Sequence, residues 1–210
     1  MPVKRRHPRW HGIPSLSQDL AEKRKSAHTR AQDAVTSARF HALTFETAAW
    51  LETGRWTKPR DALIRDRGDV AIEIFAAEQL TRRWRKVRKK GQALAQLDAP
   101  SRHRLRIRAK KLRYATEFFA GLFPSNRRSK RQDEFLRALE CLQDALGDLN
   151  DIAVHEDLMM AMGMRRRRVN LGRAFAAGVL TGREDARLDT AMAAATEAYA
   201  ELVTVKPFWR

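Results

Sequence analysis

HRLRIRAKKLRYATEFF, residues 103–119, carries two patterns at once. Leu105, Ala109, Leu112, Thr116 and Phe119, with Phe123 beyond, recur at alternating steps of four and three, the spacing of one helix face. On the other side fall His103, Arg106, Lys110 and Arg113, and Glu117 ends that row. One side can pack while the other stays wet, so the charge need not oppose folding. The segment therefore reads as an amphipathic helix, and its neighbours repeat the pattern.

Upstream, residues 69–97 place Ala77, Leu80, Trp84, Val87, Gly91 and Leu94 on one seam, with Arg82, Arg85, Lys86 and Lys89 on the opposite side. The turn LDAPS, residues 97–101, separates the two segments, and Ser101 is a candidate N-cap. Two helices joined so tightly should be antiparallel neighbours, with both cationic rows facing one groove. Downstream, residues 132–162 carry Leu139, Leu142, Leu146, Leu149 and Ala153, while Asp144, Asp148, Asp151 and His155 share another face. Gly147 lies inside this helix at a cost of about 1 kcal/mol relative to alanine, which implies close backbone packing. Further helices are expected over 18–35, after Ser17, over 37–53, with Phe40, Leu43, Ala48 and Leu51, and over 185–203. Residues 1–16 hold three prolines and no period; 54–61, 121–131 and the basic run 163–170 read as loops. No segment alternates as a strand does. The fold class is all-α, built of antiparallel helical hairpins.

Composition agrees. The chain has 210 residues, 43% of them hydrophobic, with 10 Gly and 7 Pro, enough for a packed helical core. Its net charge of +17 is concentrated: between Arg82 and Arg113 there are 14 Lys or Arg and one acid, Asp98. Such a field predicts a polyanionic partner, whether nucleic acid, anionic membrane or phosphate polymer. Cys141 is the sole cysteine, which removes disulfides and cysteine-based zinc sites within the chain; it reads as core. No HExxH motif or glycine-rich phosphate loop occurs, and His155, Glu156 and His103 make no metal-ligand pattern. Trp50, Trp56 and Trp84 fit packing better than base stacking, and Tyr114 reads as a packing residue with a wet tip. No apolar run reaches the roughly 18 residues of a membrane span, and the basic start lacks an apolar region. A cytoplasmic, soluble protein is expected, with no catalytic residues, metal or cofactor.

HRLRIRAKKLRYATEFF followed by FLRALECLQDALGDLNDIAV (135–154) resembles the CHAD family, named for a histidine in an α-helical domain. RFHALTFETAAWLETGRW (39–56), AFAAGVLTGRE (174–184) and the closing KPFWR agree with it. The resemblance implies two related four-helix bundles and a basic channel that binds inorganic polyphosphate without catalysis. It also implies association with polyphosphate granules and their proteins, and with a triphosphate-tunnel enzyme domain as partner. Family members carry a His/Arg motif in each half; this sequence has one, at His103, and is expected to lack the first helices of the N-terminal bundle. The expected division is an atypical segment 1–29, a partial bundle 30–97 and a complete bundle 98–210. Gln143 and Asp151 are expected to support the basic helix.

Polyphosphate offers no base edges, so its recognition needs repeated cationic donors. From His103 to Arg113 a helix rises about 15 Å, which spreads donors along successive phosphates. Arg grips phosphate oxygens with paired hydrogen bonds and Lys supplies a compact charge. The candidate ligand set is His103, Arg106, Lys110, Arg113, Arg82, Arg85, Lys86 and Lys89. Arg108 and Lys111 fall beside the apolar stripe as snorkelling residues, and the first-turn N–H groups at Ser101 offer an anion site. Against this stands a purely structural use, in which Asp144, Asp148 and Asp151 pair with Arg106, Lys110 or Arg113. A nucleic-acid-binding protein is the alternative function, and a phosphatase, for which Glu117 alone speaks, is the third.

Overall fold

The computed structural model describes residues 12–54, 70–123, 126–163 and 171–210. The readings for residues 1–11, Trp56 and most of the loops at 54–61 and 163–170 fall outside them. All regular structure among the described residues is helical: α1 (Gly12–Val35), α2 (Ala38–Thr53), α3 (Ile72–Gly91), α4 (Ala99–Phe119), α5 (Asn126–Gly163) and α6 (Leu171–Thr204), with short 3₁₀ turns at Leu94–Gln96 and Ala120–Leu122. The chain divides into two compact units, Met1–Val70 with Gly163–Ala176, and Ala71–Met162 with Ala177–Arg210. α3 thus belongs with α4, α5 and most of α6, whereas the sequence division had set it in the N-terminal half.

The second unit is the complete four-helix bundle. Its core takes Leu80, Trp84, Val87 and Leu94 from the α3 segment, Leu105, Ala109, Leu112 and Phe119 from α4, Leu139, Leu142, Leu146 and Leu149 from α5, and Ala195, Ala198 and Leu202 from α6. These are the seams the periodicity marks, with Ala76 taking the place read for Ala77, which is only partly buried. α3 and α4 pack directly against each other. The contacts His103–Asn150 and Arg113–Glu140, and the approach of Arg106 to Gly147, pair positions whose numbers rise on one helix as they fall on the other, so α4 and α5 are antiparallel.

The closing segment completes this core. Phe208 and Trp209 are buried, and the Trp209 indole N–H donates to Thr81 Oγ1 at 3.1 Å. Phe135 stands edge-on to Trp84 at 5.4 Å, to Phe208 at 6.5 Å and to Trp209 at 5.0 Å. Edge-to-face aromatic pairs of this kind add to the area they bury.

In the first unit, Ser37 caps α2 by accepting from Phe40 N–H, and the Gly54 N–H closes it by donating to the Trp50 carbonyl. α2 buries none of its residues; Leu43, Phe45, Trp50 and Leu51 are exposed. Trp50, read for core or loop packing, is thus more than half exposed.

Several boundaries differ from expectation. α3 ends at Gly91, short of the expected Leu97, and the Tyr199 ring of α6 lies against Gly91, where a Cβ would collide with it. Asp98, not Ser101, caps α4: its carboxylate accepts from Ser101 N–H at 2.9 Å. α6 begins at Leu171, fourteen residues before the expected start, and runs through Gly178 and Gly182 without a break. Cys141 is exposed, since it falls outside the α5 leucine stripe.

The aromatic plug and the Gly91 contact are directly testable. Phe208→Ala should cost about 3–5 kcal/mol, and Gly91→Ala about 1–3 kcal/mol through overpacking against Tyr199, both read from chemical unfolding.

Candidate functional site

The first half of the site is made by an apolar seam. A fully buried Leu or Val contributes about 1.5–3 kcal/mol, and Leu80, Val87, Leu105 and Leu112 are fully buried where α3 and α4 pack. A pair of like charges 4 Å apart in water costs about 1 kcal/mol. The seam therefore outweighs the repulsion between two helices that each carry seven Lys or Arg.

Between them lies an open cavity of about 690 Å³, lined from α3 by Arg82, Arg83, Lys86, Lys89 and Lys90, and from α4 by Arg108 and Lys111. Among the described residues, none of these seven cations forms an ion pair with a carboxylate. Arg82 and Arg83 donate to the neutral Gln79 side-chain oxygen at 2.6 and 2.9 Å, which orients them without cancelling their charge.

Asp98 is the sole acid of the 82–113 stretch, and it is engaged at the helix start. Hydrogen bonds from the Ser101 side chain and backbone hold its carboxyl below the usual carboxylate range, with Arg104 and Lys90 adding to the effect. The α4 N-terminus would otherwise be burdened by cations in its first turn, which oppose the helix dipole. Arg102 and Arg104 are also tied locally, donating to the Leu97 carbonyl and the Ser101 hydroxyl at 2.7 Å each. Ser101 itself is buried.

The two predicted rows do not share one cavity. At 3.6 residues per turn, His103, Arg106, Lys110 and Arg113 fall on one flank of the α4 apolar stripe, and Arg108 and Lys111 fall on the other. The first flank meets α5. His103 Nδ1 lies 2.6 Å from Asn150 Oδ1; with the amide oxygen as acceptor, Nδ1 carries the proton and Nε2 is left as the ring's second polar atom. Arg113 reaches Glu140 at 3.3 Å and Glu117 at 3.6 Å. Among the described residues, Arg106 and Lys110 have no carboxylate partner, and the Lys110 ammonium stands over the Tyr114 ring at 5.5 Å. Nor do Asp144, Asp148 and Asp151, among the same residues, form an ion pair with this row. From the other predicted row, Arg82, Lys86 and Lys89 line the cavity, whereas Arg85 turns to the adjoining flank of α3.

Arg108 and Lys111, read from the sequence as snorkelling beside the apolar stripe, line the cavity. The signal was present: a residue beside the stripe is at the edge of a helix–helix seam, where a long cation reaches across to the partner helix.

Gly147 sits beneath the Arg106 guanidinium, with Nε 3.8 Å from where a Cβ would stand, an ordinary contact. Backbone crowding therefore does not require glycine there. Gly147→Ala should stabilise the bundle by about 0.5–1 kcal/mol through helix propensity, read as a raised denaturation midpoint; a lowered midpoint would show that Arg106 needs that space.

A family model for the CHAD domain matches residues 2–159, and the chain belongs to that family. The match takes in residues 2–29, which were read as atypical, and ends before α6. No curated protein and no solved structure matches the chain. Among the described residues, no group of three His, Cys, Asp or Glu is placed to hold a metal ion, and no helix is long and apolar enough to cross a membrane.

Proposed function

We propose that this chain is a non-enzymatic binding module for inorganic polyphosphate, which lies in the cavity between α3 and α4. One observation carries the reading: seven cations converge from two helices and, among the described residues, none is ion-paired with a carboxylate, Asp98 acting on Lys90 only at longer range. Surface cations ordinarily find acids or spread apart; a set packed together without counter-charge favours a polyvalent anion. CHAD-family membership supports the same ligand.

The lining also favours polyphosphate over nucleic acid. Single strands are held by aromatic platforms on which bases stack, and among the described residues no aromatic ring lines this cavity. A phosphate chain asks only for charge and hydrogen-bond donors, which Arg and Lys provide. Arg106 and Lys110, on the neighbouring flank, add to the field, while His103 Nε2 offers one further contact. Arg113 serves chiefly to join α4 to α5. Localisation in the cytoplasm at polyphosphate granules, and partnership with granule proteins or a triphosphate-tunnel domain, would follow from this role.

Calorimetric titration with polyphosphate checks the assignment. Replacing Lys86, Arg108 and Lys111 together by alanine should weaken binding about 100-fold at low salt, as expected when several charge-assisted hydrogen bonds are removed. Arg106→Ala with Lys110→Ala should cost only about threefold, since each supplies long-range field. Wild-type affinity in the triple variant would remove the cavity from the account. No orthophosphate should be released, with or without Mg²⁺.

A further inference from the structure

We infer that a long polyphosphate chain crosses α3 and continues into a second cationic bed formed with the closing segment of the chain, around Arg85 and Arg210. This rests on the polyphosphate reading and extends it to the path and the chain length engaged.

On the adjoining flank of α3 lies a second cavity, about 720 Å³, lined among others by Thr81, Arg82, Arg85, Lys86, Trp209 and Arg210. An adjoining hollow brings Arg85, Arg88, Lys89 and Arg210 together beside Trp84. Arg82 and Lys86 line both the first and the second cavity, and Lys89 lines the first and the third. These three residues form the outward crest of α3, with cations descending on each side. A polyanion lying in the α3–α4 cavity thus meets no uncharged gap at its edge on α3.

Arg210 is held in place and is not a loose end. The residue before it, Trp209, is buried and hydrogen-bonded to Thr81, and Phe208 is fully enclosed in the core. The anchor delivers the Arg210 side chain beside α3, where it joins Arg85 and Arg88. Among the described residues, none of these three makes an ion pair. Glu78 also lines the second cavity. It lies toward the start of α3, away from Arg85, and its charge sets the limit of the bed in that direction. The two beds lie on adjoining flanks of one helix and share its crest, so only a ligand long enough to pass over the crest engages both, and the second bed discriminates by chain length.

The test compares tripolyphosphate with long-chain polyphosphate on the full chain, at several salt concentrations. Arg85→Ala with Arg210→Ala should leave tripolyphosphate binding within twofold of wild type. It should weaken long-chain binding about tenfold and reduce the salt slope by about two, one for each phosphate no longer engaged. Arg85→Lys with Arg210→Lys should recover most of the affinity, which separates loss of charge from any change in folding. Arg108→Ala with Lys111→Ala should weaken both ligands. If only this second pair matters, the crossing path is wrong and the first cavity stands. If neither pair matters, the polyphosphate reading itself falls. Displacement of long-chain polyphosphate by single-stranded RNA at equal charge, with the Arg85/Arg210 effect seen on RNA alone, would also overturn the proposal and assign the bed to nucleic acid.

Discussion

Two helices rich in the same charge are pressed together by an apolar seam, and among the described residues no acid lines the cavity between them. That constraint governs the molecule. Leu80, Trp84 and Val87 on α3 and Leu105, Ala109 and Leu112 on α4 supply enough burial to keep the pair closed. The one acid within the basic stretch, Asp98, is turned to the α4 N-terminus, where it answers the helix dipole and the first-turn cations. Asp98 is thereby engaged at the helix start and, among the described residues, forms no ion pair with the cations of the cavity.

The cations are not equivalent, and their partners sort them. Arg102 and Arg104 close the turn, Arg113 bridges to Glu140, and His103 is fixed by Asn150. These hold α4 in register with its surroundings. Lys86, Lys89, Lys90, Arg108 and Lys111 have no such duty and line the cavity. Arg82 and Arg83 are oriented by Gln79. Locally tied cations and cavity-lining cations therefore lie within a few residues of each other on the same helix, separated by rotation about its axis.

The core was legible in the sequence because helical periodicity reports burial directly: the α4 stripe and the α5 leucines are buried as the spacing required. The position of the cavity was less legible. Periodicity tells which side of α4 is apolar, yet it does not tell which flank meets α3 and which meets α5. The choice fell on the His103 row, the flank that in fact meets α5. The same limit applies to Asp98 and Ser101, where either side chain could cap and only the backbone path decides, and to Cys141, which sits among leucines in sequence and outside them in space. The burial of Phe208 and Trp209 depended on partners distant in sequence, such as Phe123 and Phe135 for Phe208 and Thr81 for Trp209, which no local pattern records.

If the packed cations are held apart from counter-charge for a ligand, a polyanion bound to the native state must relieve their repulsion and stabilise the fold by mass action. Thermal unfolding at constant ionic strength, followed as long-chain polyphosphate is added, measures this most directly. The account predicts a midpoint that climbs steadily with the logarithm of polyphosphate concentration and exceeds the effect of orthophosphate at equal total charge. A midpoint that stays fixed, or that rises equally with orthophosphate, would contradict it.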